Sequence, residues 1–221
     1  HLADLKIMEL FLNTILLVVL ASSVLILFAF ISNFGNRVTK SKFLNFLTTF
    51  SVCGYAIPGV ILAVAYISFV SWFDNNFISF FEIKSIKSIF IGSIIGLVVV
   101  YFVRFYSLAS NGIKSGYLKI NYSIDESSYL LGYSKLKTFL NIHVPYLKNS
   151  VLLIGILIAI EIIKELPITL ILRPFNFETF ATQAYIFASQ DLLEAAAAPS
   201  LFLIVIASLF ILTTYKYILK D

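Results

Sequence analysis

Residues 122–145, YSIDESSYLLGYSKLKTFLNIHVP, form a polar, helix-forming island in a chain that is otherwise mostly lipid-soluble. Ser123 followed three residues later by Glu126 has the spacing of a capping box, which predicts a helix starting after Ser123. Asp125 and Glu126 then fall in its first turn, where the positive end of the helix dipole favours carboxylates. Gly132 is the expected stop, because glycine takes the left-handed conformation without strain. Ser134 predicts a cap for a second short helix carrying Lys135, Leu136, Lys137, Phe139, Leu140 and Ile142, ending before Pro145. Two short helices meeting at a glycine make an elbow.

The surroundings of that elbow belong to the membrane class. Of 221 residues, 60% are apolar and 13% charged, and the mean hydropathy is +0.96. A soluble domain carries about a quarter charged residues. Cys53 stands alone in an apolar run, so neither a disulfide framework nor a cysteine-based metal site is available. His1 and His143 are far apart in sequence and join no cluster of ligands, so no metal site is expected. The net charge of +4 is modest, and no nucleic-acid partner is expected. The chain opens on His1 with no signal-peptide pattern, which leaves one half of a longer polypeptide or a trimmed chain as the expectation. No linker divides it, so residues 1–221 read as a single membrane domain, with an inner loop at about 105–148 and an outer amphipathic segment at about 173–197.

About 20 apolar residues cross a bilayer. Charge-free runs of 27 residues between Glu9 and Arg37 and of 31 between Lys42 and Asp74 supply the first two spans. The 16 residues between Lys87 and Arg104, with Ile86 and Phe105 at the ends, predict a third. A fourth runs from about 149 to 172, and the 21 residues between Glu194 and Lys216 make a fifth. With the elbow in the cytoplasm, this alternation puts eleven of the sixteen basic residues inside, Arg104, Lys216 and Lys220 among them. Lys6, Lys84, Lys87, Lys164 and Arg173 are then outside or within spans, and the N-terminus is outside.

Several polar positions inside the spans call for partners. Asn13-Thr14 and Ser22-Ser23 predict close helix packing with interhelical hydrogen bonds. Pro58 and Gly59, just after Gly54, predict a kink in the second span, lining a pathway or simply fitting the packing. The fourth span carries LIAIEIIKELPITLILRPF over 157–175. A charge at a helix centre costs about 2.5–3.5 kcal/mol on insertion scales. On a continuous helix Glu161, Lys164 and Glu165 share one face, with Glu161 and Lys164 at pairing distance. That face must point into protein or water. It is either an ion triplet that locks helices together or part of a translocation pathway or gate, with Pro167 loosening the helix just beyond. Phe180, Ala184, Phe187 and Ala188, capped near Thr179, predict a helix lying at the outer interface among headgroups.

Glu126, the small pair Ser127-Ser128, Gly132, Ile142 and Val144-Pro145 at their spacing resemble the "EAA" loop of permease subunits of bacterial ABC importers. Serines replace the two alanines, and valine the leucine before proline. Glu165-Leu166-Pro167, Leu172-Arg173-Pro174-Phe175, Thr179 with Ala181, and the Pro58-Gly59 pair are similar to ferric-iron permeases of that class. The resemblance covers most of residues 10–215. It implies an all-α membrane domain of about five transmembrane helices, the type I importer permease form, in the bacterial inner membrane. It also implies that Ser123, Asp125, Glu126, Ser127, Ser128, Gly132, Ile142 and Pro145 couple to an ATPase, and that Glu161, Lys164, Glu165, Pro167, Pro58 and Gly59 line the pathway or gate. The implied partners are two ATPase subunits holding ATP and Mg, a second permease domain (a fused N-terminal half or another copy), an outer solute-binding protein, and membrane lipid. Ferric iron is the implied substrate, with thiamine, polyamine, phosphonate or molybdate as alternatives. No Gly-Lys-Ser/Thr phosphate loop occurs, no cofactor is expected on this chain, and no nucleophile–base pair suggests catalysis. An ion-coupled secondary transporter using Glu161, Lys164 and Glu165 as a relay is the reading from another class.

Overall fold

A chain in hydrocarbon must satisfy its own backbone hydrogen bonds, and a helix does so within one segment. The computed structural model describes residues 2–78 and 90–218, with side chains over 6–76 and 90–214. The order begins with α1 (Leu2–Thr39), α2 (Lys42–Phe50), α3 (Val52–Ala56) and α4 (Gly59–Phe73), which runs into a π-helical turn (Asp74–Ile78). Then come α5 (Ile94–Tyr117), α6 (Tyr122–Leu130), α7 (Lys135–Thr138) and a second π-helical turn (Phe139–His143). The chain closes with α8 (Val144–Ile163), α9 (Pro167–Leu172), α10 (Phe180–Ser189) and α11 (Leu193–Ile218). Lys6–Thr39, Ile94–Tyr117, Lys135–Ile163 and Leu193–Thr214 are long and apolar enough to cross a membrane; α2–α3 with α4, bent by 112°, are together long and apolar enough for a fifth, broken span or a re-entrant loop. The fold is all-α, of the five-span membrane type.

Two predicted spans are displaced, for one physical reason. The third runs over Ile94–Tyr117 rather than 87–104, which places Arg104 inside the helix and not at its inner end. The fourth is continuous from Lys135 to Ile163, and the helix expected to stop before Pro145 runs straight through it. Proline is tolerated there because it sits in the first turn of α8, directly after the π turn, where its missing N–H is not needed. Residues 105–117 and 135–148, read as loop, therefore belong to the flanking helices. The outer segment contributes α10, and residues 193–197 belong to α11. The expected third-span start at Ile86-Lys87, the outer Lys84 and the tail residue Lys220 lie outside the described residues.

Helix α5 is the hub, packed by α1, α3, α4 and α8. Leu97, Tyr101, Phe105 and Ile113 on α5 are fully buried, in one cluster with Leu17 and Leu25 of α1 and Leu147 and Ile158 of α8. Hydrocarbon is as apolar as leucine, so this packing is won by fit rather than by expulsion of water. Small residues set the fit. A Cβ at Gly112 would meet Ile154 Cγ1 at 2.5 Å, and one at Gly54 would meet the Val103 carbonyl oxygen at 2.1 Å. Polar residues of the first span behave as expected for interhelical contacts. Asn33 Nδ2 donates to the Ser110 carbonyl and hydroxyl at 3.1 Å. Asn13 donates to the Glu178 carbonyl at 3.0 Å, and the Thr14 hydroxyl accepts from Phe180 N at 3.3 Å, pinning the start of α10 to α1. Ser22 and Ser23 are the exceptions: the buried Ser22 hydroxyl has no hydrogen-bond partner among the described residues, and Ser23 is exposed. Thr179 caps α10 in a reciprocal box with Thr182. The face α10 buries begins at Phe180, Ala181, Thr182 and Gln183, while Ala188, expected on that face, is exposed.

The Gly54 contact is backbone against backbone, so no side chain can swing aside. Gly54→Ala is expected to lower stability by about 1–3 kcal/mol. Gly155→Ala, whose new methyl would stand 3.4 Å from Ile26 Cδ1, should be neutral or stabilising through helix propensity. Thermal unfolding of the two variants in detergent measures the difference.

Candidate functional site

Two polar centres stand out from the apolar bundle. The first lies where the second and fourth spans both break. The second span stops at Ile57, and α4 restarts behind Pro58. The fourth span stops at Lys164 and restarts as α9 at Pro167, so Pro167 opens a helix instead of loosening one. Arg104 of α5 bridges the two breaks. Its Nη1 donates to the Ile57 carbonyl at 2.8 Å, and its Nε stands 3.3 Å from Glu165 Oε2. The Nε hydrogen makes no hydrogen bond, so this contact is an ion pair by proximity. Glu165 Oε1 accepts from Ile168 N at 3.3 Å and caps α9. Its backbone carbonyl accepts from the Thr169 hydroxyl at 2.7 Å, and that hydroxyl also meets Tyr101. A Cβ on Gly59 would come within 2.8 Å of Glu165 Oε1 and 3.3 Å of Arg104 Nη1. Glycine is what lets the start of α4 abut the ion pair.

The expected triplet on one helical face is therefore split. The backbone break at residues 164–166 turns Glu165 inward to Arg104, and it is buried. Glu161 and Lys164 pair with each other at 2.7 Å, with Lys164 half-exposed. Pro58, Gly59, Glu165 and Pro167 come together; Glu161 and Lys164 stand apart from them as a separate pair. Arg104 is the residue that sequence reasoning missed, taken as the inner end of a span. The polar run after it, including Ser107, Ser110 and Asn111 before Lys114, was the available signal that the helix continues.

The second centre is the elbow. Helix α6 starts two residues earlier than expected. Asn121 is its cap, accepting from Ser123 N at 3.2 Å, so the Ser123/Glu126 box does not form. Asn121 wins because its carbonyl is already held by Arg37 Nη2 at 3.1 Å. Gly132 ends the helix at φ +79. Tyr133 N bonds to the Ser128 carbonyl and Gly132 N to the Tyr129 carbonyl, which is the Schellman arrangement. Ser134 caps α7 as predicted, accepting from Lys137 N. Ser128 does not face outward as a small docking residue. It is buried, its hydroxyl 2.8 Å from Thr138 Oγ1 and donating to the Asp125 carbonyl, and it closes the elbow from inside. Glu126 and Ser127 are exposed. Ile142 lines a groove with Ser123, Ile124, Ser127, Leu131 and Tyr133. Pro145 is exposed at the start of α8.

Asp125 lies in the first turn of α6 as expected, and it is buried there. Its Oδ2 accepts from Arg37 Nε at 2.7 Å, and its Oδ1 lies 2.7 Å from His143 Nε2. An ionised carboxylate only accepts, so Nε2 carries the hydrogen. His143 Nδ1 in turn lies 3.3 Å from the Tyr117 hydroxyl. The elbow exposes leucines, Leu130 at 90% and Leu131 at 77% with Leu136 also exposed, among the exposed Glu126, Lys135 and Lys137.

No family model matches the sequence, and no curated protein matches it. Solved structures do share the fold. One chain in the crystal structure of a bacterial alginate ABC transporter, in complex with an alginate pentasaccharide-bound periplasmic protein, superposes with a TM-score of 0.75 at 17% identity. The match covers 94% of this chain and 76% of that one. A second crystal structure, of a bacterial ABC transporter involved in the import of the acidic polysaccharide alginate, gives a TM-score of 0.71 at 16% identity, covering 95% and 77%. The chain thus shares its fold with a chain in each of these two ABC-transporter structures.

Removing one member of a buried ion pair strands the other. Arg104→Met is expected to cost about 3–5 kcal/mol, seen as a lower unfolding temperature in detergent. Adding Glu165→Leu should recover more than half of that loss, because the orphaned carboxylate is then gone.

Proposed function

We propose that this chain is a membrane-spanning permease subunit of an ATP-driven importer in a bacterial inner membrane. Elbow α6–α7 receives the closing stroke of a separate ATPase, which holds the ATP and Mg, and the spans rock to open the pathway to one side at a time. One observation carries the reading. A helix elbow with a bare leucine tip is braced from behind by a buried carboxylate, in a fold shared with ABC-transporter permeases. Exposed leucines on a rigid tip are what a cleft on a partner protein buries. Glu126 and Ser127 flank that tip, and Gly132 sets its angle. The elbow and the C-terminus face the cytoplasm in this reading, which keeps the lysine-rich connections inside.

The pathway runs past the paired breaks. Pro58, Gly59, Glu165 and Pro167 form its wall with Arg104, since irregular backbone at membrane depth persists where it is buried in protein or lines a wet passage. Glu161 and half-exposed Lys164 extend the same wall, because a lysine facing lipid at this position would be strongly disfavoured. A second permease domain, fused or separate, closes the other side, and an outer solute-binding protein delivers the cargo. Ferric iron is the cargo we favour, on the residue pattern over 165–179. Alginate belongs to the structural neighbours, whose identity to this chain is too low to carry a substrate across. The proton-relay alternative has less support, since its three charged residues do not share one face.

Gly132→Val tests the coupling role, because a branched residue is strained at φ +79. ATP-dependent uptake into vesicles holding the whole importer should fall at least about tenfold, while the amount of this chain in the membrane stays within twofold of wild type. Wild-type uptake would overturn the proposal.

A further inference from the structure

We propose that Asp125 is a two-sided latch, so that the elbow moves as one body with the end of the first span and the start of the fourth. This rests on the coupling role proposed above and adds where the stroke enters the bundle. A loop joined to its helices only by backbone would flex when pushed. Here Arg37, near the end of α1, makes four contacts with the elbow and its approach. Its Nε donates to Asp125 Oδ2 at 2.7 Å, and its Nη2 to the Ile120 and Asn121 carbonyls at 3.0 and 3.1 Å. Its Nη1 reaches the Tyr117 carbonyl at 3.5 Å. The guanidinium plane also lies 4.3 Å from the centre of the Tyr122 ring.

The other oxygen of Asp125 engages His143 at 2.7 Å, in the π turn that leads directly into α8. His143 is held in its turn by the Tyr117 hydroxyl and by Phe34, whose ring lies edge-on at 5.5 Å. Arg37, Asp125 and His143 side chains are all at least nine-tenths buried. A charge pair shielded in this way resists separation far more than an exposed one. One carboxylate thus gathers α1, α6 and α8 at a single point, and Tyr117 brings in the end of α5. Among the described residues, neither α4 nor α11 contributes to this network. The inference assigns Arg37 and His143 as positioning residues, which act through Asp125 without touching partner or cargo.

Two arms test it. The first needs no ATPase. In the purified full chain in lipid nanodiscs, Arg37→Gln should speed backbone hydrogen exchange across 121–131 at least about tenfold, while the amides of 97–113 in α5 keep their wild-type protection. The second arm uses the importer reconstituted with its ATPase and solute-binding protein, and reads cargo imported per ATP hydrolysed. Arg37→Gln and His143→Phe should lower that ratio about tenfold. His143→Gln, which keeps a donor for Asp125, should stay within about threefold of wild type. A purely packing role for His143 predicts the reverse order, since phenylalanine fills the ring's space better than glutamine. Unchanged exchange in Arg37→Gln sinks the latch, whatever the chain transports. Faster exchange with an unchanged ratio, or His143→Phe outperforming His143→Gln, overturns the claim that the latch carries force. If the wild-type chain supports no ATP-dependent uptake, the importer reading fails, and the exchange arm still decides whether the latch exists.

Discussion

A guanidinium in the middle of a membrane helix needs a counter-charge, and much of this structure is arranged to provide one. Arg104 stands about 15 Å along α5 from its start at Ile94, by helical rise, far from either end of the span. Its charge is met by Glu165, and one of its N–H groups donates to the Ile57 carbonyl. Both partners are available only because two other spans are broken at the same level. Proline at 58 and again at 167 prevents continuous helix, and glycine at 59 lets the restarted α4 approach the carboxylate. The breaks and the buried arginine are therefore one feature. Each break alone would leave unsatisfied backbone in hydrocarbon, and the arginine alone would not stay there.

The elbow solves a different problem, that of keeping a surface protrusion stiff. Local sequence sets its shape: Asn121 and Ser134 start the two helices, and Gly132 turns the chain between them. Stiffness comes from contacts across the fold. Ser128 and Thr138 close the elbow on itself, and Asp125 ties it to α1 and α8. The leucines at the tip are largely exposed, and their exposure gives the elbow something to offer a second protein. The two centres occupy the same two long helices, α5 and α8 with its continuation. In the proposed coupling, a push on the elbow would reach the helix breaks along these two helices.

Much of the architecture was legible in composition and spacing. Charge-free runs marked the first, second and fifth spans within a few residues, since hydrocarbon tolerates little else. Gly132, Ser134 and Thr179 were read correctly because a left-handed turn or a cap depends on nearby backbone only. The misreadings share a cause. Arg104 was taken as a span end, Glu165 as part of a one-faced triplet and Ser123 as the cap of α6. In each case the deciding partner lies far away in sequence: Glu165 for Arg104, Arg104 for Glu165, and Arg37 for the Asn121 cap.

By itself, then, the sequence determined the class, the spans and the turning points, because those follow from the transfer of each residue into lipid and from local backbone chemistry. The tertiary structure alone decided which charges are buried, which carboxylate is shared and which side of the elbow is bare. A buried charge is allowed only where a distant partner neutralises it, and one-dimensional spacing does not carry that distance. Asp125 shows the division most clearly: its place in the first turn of a helix was readable, but its burial between Arg37 and His143 was not.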